Sequence, residues 1–235
     1  MNKKIIAHRG LSSRYPENTL LAFRKALDTQ AFALECDVHL SHEDVPIVIH
    51  DEDLSRTTTG KGLIGSYSLD QLMTFSAGAG EKIPSLKEVL DLVIHHSKKE
   101  LFIEIKTHEG DLGYRNRVGA IVYETVMGAI SKKKNRVRFI SFDEFILKKI
   151  RELDRTVKLA PIFFKLPKEG SLADHALALQ ATAVIFSKKL LTKKNIFHTP
   201  TQVEHFVYTA IPREFPKLFK MRSLTGFATN HADLI

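Results

Sequence analysis

The feature that most constrains this chain is a repeated alternation of short apolar runs with stretches of helical periodicity. The apolar runs occupy residues 5–8, 33–40, 45–50, 101–107, 137–142, 159–164, 183–187, 205–210 and 226–229. Between them, Leu20, Phe23, Ala26 and Leu27 recur at helical spacing behind Asn18, the expected N-cap, and Ser85-Leu86-Lys87-Glu88 forms a capping box leading into Val89, Leu90 and Val93. Segments 113–131 and 143–153 alternate apolar and basic positions in the same way. Strands joined by crossover helices give a parallel α/β fold. At 235 residues the chain can hold one α/β barrel or two small domains. Nine runs exceed an eight-stranded barrel by one, and the polar turn Ser41-His42-Glu43-Asp44 accounts for the excess as a hairpin that brings residues 35 and 50 together. Residues 51–84, rich in Thr, Gly and Ser with little periodicity before Ile83-Pro84, read as an insertion and not as a second domain.

Charge and cysteine content narrow the partners. With 35 Lys and Arg against 27 Asp and Glu, the net charge is +8, which attracts nucleic acid, anionic lipid or a phosphorylated small molecule without choosing among them. The clusters Lys132-Lys133-Lys134, Lys188-Lys189 and Lys193-Lys194 read as solvated helix faces. The single cysteine, Cys36, excludes an internal disulfide framework and a Cys-rich zinc site and suits a reducing compartment. The apolar run after Lys3-Lys4 is too short for the core of a signal peptide. No stretch approaches the roughly 18 apolar residues of a membrane span. The expectation is a cytoplasmic protein without a helical anchor.

Chemistry concentrates at the strand-like runs. Glu35 and Asp37 stand two apart, so on a strand both carboxylates point the same way. Their repulsion calls for a cation or a shared proton. In the run 101–107, Phe102, Glu104 and Lys106 share one face, adding a third carboxylate and an ammonium. Three carboxylates suit a hard cation, Mg²⁺ or Ca²⁺, better than zinc. Taken singly, either strand also fits a half-exposed surface on which polar positions alternate. His8 with Arg9 and His50 with Asp51 each follow an apolar run, at the strand ends where a parallel α/β protein gathers its acid and base groups. A lone histidine there is more often a hydrogen-bonded structural residue, so the argument rests on the set. His39 shares the carboxylate face by parity but lies nearer the turn. Cys36 points the other way, toward the helices. His95-His96, His108, His175 and His198 have no ligand spacing.

The set and its order resemble the glycerophosphodiester phosphodiesterase family. The resemblance runs through His8-Arg9-Gly10, Pro16-Glu17-Asn18-Thr19, Glu35-Cys36-Asp37-Val38, His50-Asp51 with Leu54, Arg56-Thr57-Thr58, Gly60 and Gly62, Ile83-Pro84-Ser85-Leu86 with Glu88-Val89-Leu90, Ile103-Glu104-Ile105-Lys106 and Ser141-Phe142-Asp143. It covers roughly the first 145 residues, and so many spaced elements in order are a specific signal. The resemblance implies a (β/α)₈ TIM barrel with a small insertion after the second catalytic histidine. It further implies hydrolysis of deacylated phospholipids such as glycerophosphocholine or glycerophosphoethanolamine to glycerol 3-phosphate and an alcohol, with one divalent cation. Under it, His8 and His50 are the acid–base pair, Glu35, Asp37 and Glu104 the metal ligands, and Arg9 and Lys106 the phosphate-binding cations. Glu17 and Asp51 are candidates for fixing the tautomer of a neighbouring histidine, although Glu17 also fits as the residue before the Asn18 cap.

The second half departs from the family pattern. Near Val207-Tyr208-Thr209 the family carries a tryptophan that this chain lacks altogether, and Tyr208 is expected to take over that part of the substrate wall. Asn230 stands where an acid is usual, a change expected to touch the glycerol side of the site. The chain stops five residues after Asn230, so barrel closure is expected to be incomplete or completed by a partner. A phospholipase-D-like or lysophospholipid-cleaving diesterase would keep this site and need a larger apolar mouth. A non-catalytic polyanion-binding module would use the lysine clusters but gives no reason for three carboxylates on inward strand faces.

Overall fold

A computed structural model describes residues 3–108, 110–192 and 203–235. Lys193, Lys194 and His198 lie outside the described residues. The strands are β1 (Lys4–His8), β2 (Ala33–Leu40), β3 (Pro46–Val48), β4 (Glu100–Ile105), β5 (Val137–Ser141), β6 (Lys158–Phe163), β7 (Ala183–Ser187), β8 (Glu204–Ala210) and β9 (Gly226–Thr229). All but β3 pair in parallel in the order β1-β2-β4-β5-β6-β7-β8-β9, and β9 returns to β1, giving a closed (β/α)₈ barrel. Closure is therefore complete within the chain, contrary to the expectation from its short tail. It needs only the ladder between β9 and β1, with Lys4 opposite Gly226 and Ala7 opposite Thr229. The helical turn Ala232–Leu234 follows β9.

The ninth strand has the expected origin. β1 pairs with β2 from Ala33 to Glu35, and the far half of β2 takes β3 as an antiparallel partner, with Val38 opposite Val48. Ile49 then donates its N–H to the Asp37 carbonyl at 3.1 Å, which brings His50 over the barrel mouth.

The helices are α1 (Leu20–Leu27), α2 (Leu69–Leu72), α3 (Leu86–Leu90), α4 (Leu112–Ile130), α5 (Glu144–Leu153), α6 (Leu172–Ala178) and α7 (Phe215–Lys220). The Ser85–Glu88 capping box starts α3 as its residues dictate. At α1 the cap is Thr19 and not Asn18: the Thr19 hydroxyl accepts from Ala22 N–H at 3.2 Å, which frees the Asn18 side chain for the site.

Strand alternation sorts the apolar residues into two layers. Ile6, Ala33, Phe102, Ile140, Ile162, Ile185 and Phe206 fill the barrel, while Ala7, Leu34, Cys36, Ile103, Phe139 and Val207 pack outward against the helices. Below the inner layer Arg138 is buried, bonded to Glu204 at 2.6 Å and Thr182 at 2.7 Å, with its guanidinium 5.1 Å from the Phe102 ring centroid. Polar residues thus close the floor, apolar ones fill the middle, and the carboxylates stand at the top. Residues 51–84 gather around Leu54, Ile64, Leu72, Ala77 and Ile83, which join Ile47 and Ile49 in a small core of their own. Val48 N–H bonds the Pro84 carbonyl at 2.8 Å and ties this segment to β3.

Closure depends on a glycine. A Cβ at Gly226 would lie 1.8 Å from the Lys4 carbonyl oxygen and 3.0 Å from the Phe206 ring. Gly226→Val is therefore expected to lose at least about 2 kcal/mol of stability, through forced displacement of β1 or β8. Chemical denaturation measures it, and a midpoint equal to that of the parent chain would contradict this account of closure.

Candidate active site

Strand parity and register assemble the site. β2 turns Glu35 and Asp37 inward, β4 turns Glu104 inward, and the ladders set Asp37 opposite Glu104 and His8 opposite Glu35. The three carboxylates are buried, at 3%, 0% and 8% exposure, and each offers an oxygen within 4.8 Å of the others. Such a cluster is stable only with compensating charge. The Lys106 ammonium supplies it, 2.7 Å from Asp37 Oδ1 and bonded to Glu104. Arg9 adds its Nε at 3.2 Å from Asp37 Oδ2, and Asn18 Nδ2 donates to the same oxygen at 2.9 Å. Burial works against ionisation of Asp37, but Lys106 and Arg9 beside it hold its carboxyl well below the ordinary range. Glu35 goes the other way: burial, followed by the charges of Asp37 and Glu104, pushes it well above the ordinary range.

The backbone around Arg9 explains Gly10. Arg9 adopts a left-handed φ of 58° and donates its N–H to Glu35 Oε2 at 3.0 Å. Gly10 follows at φ 77°, where a Cβ would stand 2.7 Å from the Ala22 main chain. This turn carries the Arg9 guanidinium back over the barrel mouth.

Both histidines present the same nitrogen to the cavity. His8 Nδ1 lies 2.8 Å from Asn230 Oδ1, an acceptor, so Nδ1 carries the proton and Nε2 faces Glu35 Oε2 at 3.9 Å. His50 Nδ1 lies 2.5 Å from Asp51 Oδ1, with the same consequence. Burial, followed by the Arg9 charge, pushes the His8 pKa down to about 4. Asp51 is held down at about 2, first by its hydrogen bond from Arg56 and also by that from His50. Asn230, which stands where an acid is usual in the family pattern, thus supports His8. Glu17 contacts no histidine among the described residues: its carboxylate receives Arg9 at 3.0 Å and Arg56 at 2.7 Å.

His8, Arg9, Glu35, His50, Glu104 and Lys106 line one cavity of about 140 Å³. Its other wall is apolar, built from Ile140, Phe142, Ile162 and Ile185, and interrupted by Tyr208. The Tyr208 hydroxyl is buried with no hydrogen-bond partner among the described residues, and its ring meets Phe142 edge-on at 6.0 Å. Glu35 Oε1 is also buried and accepts no hydrogen bond. That orphaned oxygen, with two further carboxylates and no sulfur or imidazole in the donor set, fits a hard divalent cation such as Mg²⁺ or Ca²⁺. Arg9 and Lys106, expected at a phosphate, have carboxylates as their present partners while still lining the cavity.

Similarity to known proteins decides the family. A model of the glycerophosphoryl diester phosphodiesterase family matches residues 8–233. The chain belongs to that family. It is 31% identical over 172 residues to a glycerophosphodiester phosphodiesterase of Caldanaerobacter subterraneus, an alignment taking in 69% of this chain and 68% of that relative. Among solved structures, the Thermotoga maritima glycerophosphodiester phosphodiesterase is 27% identical with a TM-score of 0.79, over all of this chain and 97% of the other. A phosphodiesterase of Oleispira antarctica in complex with the product sn-glycerol-3-phosphate has a TM-score of 0.85 and 24% identity, over 99% and 94% of the two chains. The family is one of phosphoric diester hydrolases, the enzyme class implied by the sequence motifs.

Three contributors to the site escaped the sequence reading: Asn18, assigned to a helix cap, and His39 with His108, which contact each other at 3.1 Å behind His50. Parity marked His39, but no local signal marked His108. Lys106 generates a prediction. Lys106→Met removes the cation from two buried carboxylates and should lower stability by about 3 kcal/mol near pH 8. Burial already raises the Glu104 pKa, and without Lys106 that carboxyl holds its proton still more tightly folded than unfolded, so the deficit should shrink as pH falls toward 5. Thermal unfolding across this range checks both, and a pH-independent deficit would contradict the charge argument.

Proposed function

We propose that this chain hydrolyses glycerophosphodiesters such as glycerophosphocholine or glycerophosphoethanolamine to glycerol 3-phosphate and an alcohol, with His8 and His50 as the acid–base pair. The observation that carries this reading is the pair of histidines, each anchored at Nδ1, lining one cavity with two cations and with Glu35 and Glu104 of the three-carboxylate cluster. A phosphodiester is anionic, and its transition state gathers further charge on the phosphoryl oxygens. Glu35, Asp37 and Glu104 would hold one Mg²⁺ or Ca²⁺, which supplies positive charge to those oxygens when bound. Arg9 and Lys106, on the same cavity, add to that field and orient the phosphate.

The supports of the two histidines differ, and the difference suggests their roles. His8 rests on a neutral amide and is kept uncharged by burial, which suits a proton acceptor. It takes a proton at Nε2 from water, or from the glycerol 2-hydroxyl if a cyclic phosphate forms first. His50 rests on the Asp51 carboxylate, which stabilises an imidazolium and so suits a donor to the leaving alkoxide. Tyr208 would meet the substrate with its unpartnered hydroxyl. No helix among the described residues is long and apolar enough to cross a membrane, and we assign the enzyme to the cytoplasm, where the buried free thiol of Cys36 is stable. The small-molecule diester, and not nucleic acid, is the partner that its positive charge serves.

The apolar wall, with Phe142 47% exposed at its rim, favours one second reading, a lysophospholipid whose chain lies along that wall. Glycerol 3-phosphate release from glycerophosphocholine in Mg²⁺ or Ca²⁺ tests the first. Turnover should vanish after EDTA and return with the cation, and His50→Ala should lose at least about 10²-fold in kcat with its fold intact. Unchanged turnover after stringent chelation would remove the cation from the reaction, and near-normal rates in His50→Ala would remove His50. Faster turnover of lysophosphatidylcholine would transfer the assignment to the second reading.

A further inference from the structure

Behind His50 stand two histidines that the reaction as described does not use. His39 lies on β2 with the same parity as Glu35 and Asp37, is 3% exposed, and brings Nε2 within 3.0 Å of the His50 carbonyl oxygen. A carbonyl oxygen only accepts, so this nitrogen carries the proton and Nδ1 of His39 is left to accept. His108 meets it there, with Nε2 at 3.1 Å. His108 Nε2 is therefore the donor in that bond, and its other nitrogen faces Glu52 Oε1 at 3.4 Å. His108 is held in turn by its stack on the Tyr114 ring, with centroids 3.9 Å apart and planes 8° from parallel. The Tyr114 hydroxyl accepts from Leu40 N–H, next to His39 on β2.

This chain of contacts matters because of how His50 is otherwise held. Its ring rests on Asp51, and Asp51 is gripped by Arg56, both members of the segment that follows β3. The segment is tied to the barrel on one side of His50 by the Ile49 N–H on the Asp37 carbonyl and on the other through Arg56 on Glu17, which leaves the His50 carbonyl itself to be held by His39. We propose that His39, backed by His108, is a positioning residue that, next to the Ile49–Asp37 bond, pins the main chain of His50 to barrel strand β2 and so holds its ring in register with His8. His39 touches neither substrate nor cation in this assignment. It rests on the reading of His50 as an acid–base residue, and its test is arranged to fail separately from that reading.

Replacing His39 by Met keeps the volume and removes the donor, whereas Gln can still donate an N–H to the His50 carbonyl. His39→Met is expected to lower kcat about tenfold, the scale on which an orienting partner acts, with KM and Mn²⁺ affinity each within about twofold of the parent. His39→Gln should recover kcat to within about threefold. In a His50→Ala background, adding His39→Met should change kcat by less than about twofold, because the residue acts through His50. Unaltered kcat in His39→Met overturns the proposal. So does an equal loss in a well-folded His39→Gln, or a full tenfold further loss in the His50→Ala background. If His39→Met does not fold, His108→Phe decides: it keeps a ring on Tyr114, removes the hydrogen bond that fixes the His39 tautomer, and should lower kcat at least about threefold at constant KM. Unchanged kcat there overturns the proposal as well. Parent-like kcat in His50→Ala alone would instead overturn the acid–base reading.

Discussion

Three carboxylates buried at one end of a barrel repel one another, and much of the site can be understood as an answer to that repulsion. An unpaired buried charge costs several kcal/mol, more than a typical surface interaction returns. Lys106 and Arg9 crowd against Asp37, and Asn18 donates to the same carboxylate. The left-handed turn at Arg9 and Gly10 exists to bring that guanidinium, and the Arg9 N–H, over the cluster. Even so, one oxygen of Glu35 finds no donor. The compensation is incomplete in just the way that a divalent cation would complete.

The barrel makes such a cluster possible because its floor and middle need no charge from it. Arg138 and Glu204 neutralise each other below, and the inner apolar layer isolates them from the carboxylates above. The hairpin of β2 and β3 then does with two strands what the rest of the barrel does with helices. It doubles the chain back so that His50 comes to the mouth beside the carboxylates of β2. The two histidines reach one cavity from different supports, an amide for His8 and a carboxylate for His50. The proposed division of roles, proton uptake by one ring and delivery by the other, rests on that asymmetry.

Much of this was legible in the sequence because strand parity is a strict rule. Glu35, Asp37 and Glu104 share the inward face on parity alone, and the polar turn at 41–44 was enough to foresee the hairpin. The misreadings have a common cause in contacts that no local pattern encodes. Asn18 looks like a cap because its residue type suits one, yet Thr19 beside it also caps, and the long-range demand of Asp37 decides between them. Glu17, a candidate for fixing a histidine tautomer, is instead drawn to Arg9 and Arg56, the latter 39 residues away. Asn230 reaches His8 across 222 residues, through the closing pair of strands. Incomplete closure was inferred from the short tail, whereas closure resides in the β9–β1 ladder and does not require a helix after it.

Whether the carboxylate cluster takes one divalent cation is the central question, and Mn²⁺ titration followed by electron paramagnetic resonance answers it without reference to turnover. The account predicts one bound ion per chain in the parent protein. It also predicts that the folded triple variant Glu35→Gln, Asp37→Asn, Glu104→Gln loses that ion. Absence of bound Mn²⁺ in the parent chain, or equal binding by the triple variant, would contradict it.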